Sequence, residues 1–453
     1  MRLALFYYLN MQITLVKFKE LCFRQVSSAP LIVFRILFSA LLFYSTIRTI
    51  YKGWVHELYV LPTYHFTFID GLPLPSENTI YAIFGLLALS SLFMIFGLFY
   101  RISTTVFFLL FTYVELIDKT YYLNHYYLVS ILVFWMILVP ANRSYSFDSF
   151  IFPKIKTQVC DNWYILIFKV QLSIVYFFAG LAKVNSDWLL QAQPLATWLP
   201  GRYTLPLIGK WLYLEEVAFL FSWLGCLYDL FVWIFLWFKR TRPTTYLFVL
   251  VFHILTGILF PRIGMFPYIM IVATVIFFSA NWHQKLLNFL PSAPLTESNH
   301  SKKEKSYLIP FFLLISLIVQ LYLPLRHLQY PGNLFWNEDG YRFSWRVMLM
   351  EKNGYTNFIS KDPKLNLQKQ INLNNYLTAF QQQQLRSQPD MILQFAKHIG
   401  QLQEDNLGYA PEIYVDSRIS LNGRRSQLFV DKTVDVYNKG NFNGKNWLIP
   451  LLK

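Results

Sequence analysis

WYILIFKVQLSIVYFFAGLAKVNSDWL, residues Trp163–Leu189, begins with a 20-residue stretch, 163–182, that carries a single charge, Lys169. A helix rising about 1.5 Å per residue needs about 20 predominantly apolar residues to cross the hydrocarbon of a bilayer. The stretch therefore reads as a membrane span that ends on a lysine. Eight more segments read the same way: 30–50, 80–100, 103–118, 121–140, 213–238, 243–260, 264–281 and 307–324. The spacing predicts an α-helical polytopic membrane bundle of about nine spans. Composition agrees: of 453 residues 55% are hydrophobic, 19% aromatic and 14% charged, against roughly 25% charged in a soluble domain. An ordinary soluble enzyme is excluded, and so is a disordered chain, which could not keep this much apolar surface in water. The formal charge of +15 calls for no nucleic acid, because lysines and arginines between spans set topology.

Placing the N-terminus in the cytoplasm puts Arg101, Lys154 and Lys156, the cluster Lys239, Arg240 and Arg242, and Lys302, Lys303 and Lys305 on that side. The opposite loops hold fewer basic residues, which is the expected bias. An odd number of spans then makes the C-terminal end extracytoplasmic. For a Gram-negative source this is an inner-membrane protein. The first residues show no small-residue cleavage pattern, so the first span is expected to act as its own insertion signal.

Composition changes after Pro324. From Arg326 to Lys453 there are 16 Lys+Arg, 11 Asp+Glu and many Asn and Gln. The chain thus divides into a bundle, 1–324, and an extracytoplasmic α+β domain, 325–453, large enough for a modest core. Ser387 is expected to cap a helix carrying Ile392, Phe395, Ala396 and Ile399. Ile413–Ile419 and Gln427–Val430 read as strands around Asn422–Gly423, a strong turn signal; Val434–Tyr437 reads as another. The Gln381–Gln384 run reads as a flexible connector. Such a domain could hold a protein or peptide substrate near the membrane or simply cap the bundle.

Ionisable groups in or beside spans are costly unless they face a cavity or a partner. Lys183 is the strongest such group. An amine in an apolar site is disfavoured in its charged form and can serve as a base; a lysine can also snorkel to the interface with no chemical role. His125 can exchange a proton or hydrogen-bond developing negative charge. His253 could be a ligand contact or ordinary helix packing. Arg262 could attract an anion or anchor a helix end. His327, with Trp336 and Tyr341 in FWNEDGYRFSW (Phe335–Trp345), could line the way into a site. Glu115 and Lys119, four apart, can pair along one helix face. His56 and His65 make only a weak case for a metal site, and Cys22, Cys160 and Cys226 have no ligand spacing, so no metal is expected. Phosphate loops, dinucleotide turns and zinc helices are also absent from the sequence.

DKTYYLNHYYL (Asp118–Leu128), VYFFAGLAKVNSDWL (Val175–Leu189), FHILTGILFPRIGMFPYIM (Phe252–Met270), LYLPLRHLQYPGNLFWNEDGYRFSW (Leu321–Trp345), QPDMILQFAKHIG (Gln388–Gly400) and the segment Pro411–Asp435 together resemble the vitamin K-dependent gamma-glutamyl carboxylase family, including its bacterial members. The resemblance implies a membrane bundle followed by a domain on the lumenal or extracytoplasmic side. It also implies quinol-dependent gamma-carboxylation of protein glutamate, coupled to quinone epoxidation and using O2 and CO2. The implied cofactor is reduced vitamin K or menaquinol, and the implied partner is a glutamate-containing protein or peptide. Lys183 stands at the family's catalytic lysine and His125 at its active-site histidine; His253 and His327 also match family histidines. Longer animal members continue beyond the position of Lys453 and differ in cysteine content, so recognition of their propeptides is not expected here. The rival classes are a quinol oxygenase lacking carboxylation, a transporter and a non-catalytic membrane scaffold.

Overall fold

A computed structural model describes residues 16–290, 308–440 and 445–452. The expected basic cluster at Lys302, Lys303 and Lys305 lies outside these residues. Among the described residues six helices are long and apolar enough to cross a membrane. They are α1 (Ala29–Tyr51), α2 (Glu77–Phe96), α3 (Tyr100–Ile117), α5 (Trp163–Lys183), α6 (Glu215–Trp237) and α7 (Arg242–Leu259). Between them α4 (Asn124–Leu138) has 15 residues and reaches only about 22 Å at 1.5 Å per residue. That is short of the roughly 30 Å hydrocarbon core.

The expected span 264–281 is not one rod. Helix α8 (Phe266–Thr274) runs on as a 3-10 turn to Phe277, and α9 (Ala280–Leu287) leaves at 112°. Ser279 caps α9 by accepting a hydrogen bond from the Trp282 amide, so a new helix starts where the pattern had suggested continuation. The last apolar helix is α10 (Leu308–Leu325), of which the described part falls among the shorter apolar helices. Among the described residues six candidate spans, or seven if the bent pair counts as one, stand where nine were expected. The apolar pattern reports burial in the bundle as well as passage through lipid, and it cannot see the break at Ser279.

The C-terminal domain is α+β. Strands β3 (Lys352–Asp362), β4 (Leu367–Gln370), β5 (Glu412–Leu421) and β6 (Gln427–Leu428) form an antiparallel sheet in the order β4-β3-β5-β6, while a small ribbon of β1 (Gln25–Ser27) and β2 (Val159–Asp161) ties two bundle segments together. Along β5 every second residue (Ile413, Val415, Ser417, Ile419, Leu421) is buried, as a half-covered strand requires. These residues share a core with Ile392, Phe395, Ala396 and Ile399 of α12 (Pro389–Leu407).

Several local expectations change. Gln388, not Ser387, precedes the first turn of α12, with Pro389 at its start. Val436–Lys439 is a helical turn capped by Asp435 rather than a strand. The glutamine run is helix α11 (Ala379–Leu385), held by a capping box between Thr378 and Gln381. Gln381 is fully buried and donates to the Tyr64 carbonyl (2.8 Å) and to Asp118 Oδ2 (3.0 Å). The same Asp118 carboxylate lies 3.2 Å from His65 Nδ1, an acidic neighbour that adjacency in sequence did not reveal. Glu115 does not pair with Lys119: α3 ends at Ile117, Asp118 is extended, and Lys119 turns to Asp390 at 3.5 Å.

The Asn422–Gly423 turn forms as expected, with φ of 48° and 75° and a hydrogen bond from the Arg424 amide to the Leu421 carbonyl. It is also the docking point of the domain. Asn422 Nδ2 and Arg424 Nη1 donate to Asp187 Oδ2 at 2.8 and 2.7 Å, and Arg424 Nη2 reaches Oδ1 at 2.5 Å. Burial alone would raise the pKa of Asp187, but the hydrogen bonds from Arg424 and Asn422 outweigh it and hold the carboxyl below its ordinary 3.8. The docking contribution is therefore complete above pH 3.8 and is lost as the pH falls through the depressed folded value. Arg424→Ala should destabilise the folded protein by about 1.5–3 kcal/mol, the range for hydrogen bonds to a charged group. A thermal melt in detergent measures this, and the gap between variant and wild type should narrow in strong acid.

Candidate functional site

Lys183 is the last residue of α5, and small side chains precede it at Ala179, Gly180 and Ala182. Gly180 sets the site. A Cβ placed there would lie 2.5 Å from the Leu230 amide nitrogen and 2.9 Å from the Asp229 carbonyl carbon, so only glycine lets α5 and α6 approach this closely. The contact brings Asp229 Oδ2 to 2.6 Å from Lys183 Nζ, and Nζ also donates to the Ala179 carbonyl at 3.1 Å. Both side chains are more than nine-tenths buried. Trp188, whose Nε1 donates to the Ser222 carbonyl at 2.8 Å, lies beside the pair with its ring 5.5 Å from Nζ.

The pair borders a cavity of about 110 Å³ walled by Leu128, Val175, Phe221, Phe252, Leu255 and Phe266 among others. Its polar groups are few: Asn124, His125, Lys183, Asp229 and Thr256, with the Tyr176 hydroxyl. His125 sits at the start of α4, and its buried Nε2 has no hydrogen-bond partner among the described residues. Asn124 is fixed by donating to the Arg346 carbonyl at 2.7 Å. Sequence reasoning brought Lys183 and His125 forward separately, and the structure sets them on one cavity. It missed Asp229, although a lone acid in the apolar run of α6 is a costly residue of the kind that signalled Lys183.

The other candidates fall elsewhere. His253 is behind the cavity wall, with Nε2 3.3 Å from the Tyr176 hydroxyl. Arg262 and Tyr341 line a second, outer chamber of about 790 Å³ between the bundle and the C-terminal domain. Asn124, His125, Phe260, Ile263 and Phe266 line both spaces, so the two adjoin. His327 stands at the foot of α10 with Nδ1 2.9 Å from the Pro324 carbonyl and 3.1 Å from Arg346 Nη2. Trp336 reaches neither space: it is fully buried in the domain core and donates to the Ile449 carbonyl at 2.8 Å.

Five cations (Lys119, Arg202, Arg262, Arg342 and Arg346) and two acids (Glu338 and Glu351) line the outer chamber. Arg342 and Lys119 are committed to Asp390 at 2.6 and 3.5 Å. Burial would raise the Asp390 pKa, but these two cations hold it well below the usual carboxylate range. Arg202 and Arg262 form no ion pair among the described residues and remain available to an anion. Arg202 lies in a 3-10 turn between spans and carried no sequence signal.

These features define a polytopic helical membrane protein with a mixed α+β C-terminal domain packed over a buried, polar-ended cavity. The HTTM domain family model matches residues 23–282, and the model of the vitamin K-dependent gamma-carboxylase lumenal domain matches residues 304–453. The chain belongs to this family of HTTM, vitamin K-dependent gamma-carboxylase-related proteins. No solved structure matches it.

Gly180→Ala tests the geometry. Its methyl group would raise intrinsic helix propensity by about 1 kcal/mol, but overpacking a backbone contact costs about 1–3 kcal/mol. The balance should destabilise the protein and part Lys183 from Asp229. A lowered melting temperature and a structure with Nζ outside hydrogen-bonding distance of the carboxylate are expected.

Proposed function

We propose that this protein carries out quinol-dependent gamma-carboxylation of protein glutamate, coupled to quinone epoxidation with O2 and CO2. The observation that carries the reading is the convergence of Lys183 and His125 on one apolar cavity that adjoins a cationic chamber. Family membership supports the same activity class.

The residues fit a reduced naphthoquinone such as vitamin K or menaquinol. An apolar wall suits a fused ring and an isoprenoid chain, while Lys183 and the unpartnered His125 Nε2 can meet ring oxygens. When bound, the reduced quinone would supply, through its oxidation by O2, the strong base that a glutamate γ-carbon requires and that lysine alone is too weak to provide. At Nζ, Lys183 receives a proton from a ligand hydroxyl, the role in which general bases typically contribute about 10²–10⁴-fold. His125 Nε2 hydrogen-bonds negative charge developing beside it. The apolar wall keeps water from reactive groups. In the outer chamber Arg262 and Arg202 attract the substrate carboxylate, with Tyr341 and His327 near its approach. His253 orients Tyr176 from behind.

Residues 325–453 are assigned to substrate binding on the extracytoplasmic side, with the N-terminus cytoplasmic. With α4 and its flanking residues counted as a crossing, Arg101, Lys154, Lys156, Lys239, Arg240 and Arg242 fall on one set of loops, and that bias supports this orientation.

The test is direct. The full-length protein in lipid nanodiscs is given reduced naphthoquinone, O2, labelled CO2 and a panel of glutamate-containing peptides. Labelled peptide and quinone epoxide should both form. Lys183→Ala should lower both rates by about 10²–10⁴-fold, and His125→Ala by about 10²–10³-fold, each measured on the fraction of variant that a thermal melt shows to be folded. Neither product from folded protein with demonstrated quinol binding would overturn the assignment. Epoxide without labelled peptide would reassign it to a quinol oxygenase.

A further inference from the structure

Lys183 does not stand alone in its cavity. Nζ has three hydrogen-bonding directions when protonated; one meets Asp229 Oδ2 at 2.6 Å and one the Ala179 carbonyl at 3.1 Å. The third is left for the cavity that both side chains line. The other titratable groups around the pair are His125 on α4, Tyr176 on α5, Cys226 and Tyr228 on α6, and His253 on α7. None of them is a second carboxylate or a second lysine or arginine. Lys183 and Asp229 therefore balance each other's charge, and an unpaired charge on either would be costly in this apolar enclosure.

This balance changes where a proton can go. Asp229 Oδ2 already holds one Nζ hydrogen at 2.6 Å, so this carboxylate is the nearest acceptor for a proton that arrives at Nζ. We propose that Asp229 is the final acceptor of the proton taken at this site, with Lys183 relaying it and remaining an ammonium. The inference rests on the function proposed above and goes beyond it by naming the residue that holds the proton. In the step, the O–H bond of the ligand hydroxyl breaks and its electron pair stays on oxygen. One Nζ proton passes to Asp229 Oδ2, and the lone pair this frees on nitrogen forms the new N–H bond to the ligand's proton. The ammonium then lies between a neutral carboxylic acid and an oxygen anion, and the net charge of the cavity is unchanged. A lone neutral lysine would act without any need for Asp229.

Asp229→Asn separates the two schemes, and phenyl isothiocyanate, an apolar reagent that reacts only with unprotonated amines, gives a readout independent of turnover. Full-length protein in nanodiscs is labelled at neutral pH, and modification of Lys183 is followed by peptide mass spectrometry. Wild-type Lys183 should resist labelling. In Asp229→Asn the uncompensated ammonium gives up its proton, so labelling should accelerate by at least about tenfold; Asp229→Glu should restore resistance. Quinol oxidation should lose about 10²-fold or more in kcat, the range for a lost proton acceptor, with KM little changed, and Asp229→Glu should recover much of it. A structural defect alone would not produce faster labelling together with that kcat loss and rescue.

Wild-type Lys183 labelled at the rate of a free amine would overturn the inference, even if the Asn variant did not fold. An Asn variant that oxidises quinol as fast as wild type would also overturn it, while leaving the proposed activity standing. Wild-type protein that neither oxidises quinol nor carboxylates peptide, yet shows the expected labelling pattern, would overturn the activity and keep the charge-balanced pair.

Discussion

The close backbone contact between α5 and α6 at Gly180 is the constraint on which the site depends. It is the reason a lysine and an aspartate, 46 residues apart in sequence, face each other at 2.6 Å inside a membrane bundle. Either charge alone would be expensive in that setting. Held at hydrogen-bonding distance, each compensates the other, and the polar end of an otherwise apolar cavity becomes tolerable. The geometry is set by the absence of one methyl group, since no larger residue fits at Gly180 without moving the α6 backbone.

The same short stretch joins the cavity to the C-terminal domain. Lys183 enters the cavity. Asn185 accepts a hydrogen bond from the Trp188 amide and starts a new turn. Asp187 receives Asn422 and Arg424 from the domain, while Trp188 returns to the cavity wall. Within six residues the chain thus supplies a charge, a turn, a docking carboxylate and an aromatic wall. Shared lining residues link the cavity to the cationic chamber under the domain, so docking and cavity shape depend on the same backbone. A second tie runs through Asp118, which meets His65 of the bundle and Gln381 of α11.

Much of this was legible in the sequence where the signal was local. Runs of apolar residues located α1 to α3 and α5 to α7 to within a few residues, and the Asn422–Gly423 turn followed from the tolerance of both residues for positive φ. Lys183 and His125 stood out because ionisable groups at the ends of spans are expensive. Other readings failed because a local pattern has several physical causes. The glutamine run looked like a solvated connector, yet Gln381 is buried by partners more than 260 residues away. Glu115 and Lys119 had helical spacing, but the helix stopped at Ile117 before that spacing could matter. Trp336 belonged to an aromatic, charged stretch that suggested a site wall, and the domain core claimed it instead.

The sequence by itself determined that the chain is a membrane bundle followed by an α+β domain, because hydrophobic length and alternation are properties of neighbouring residues. It also marked the lysine and the histidine, because the cost of a charge in an apolar run can be read without knowing its surroundings. Tertiary structure alone decided that Asp229 answers Lys183, that Arg202 and Arg262 face one chamber, and that α8 and α9 bend apart. Those facts depend on which helix faces meet and how closely, and a distance between residues far apart in the chain has no local signature.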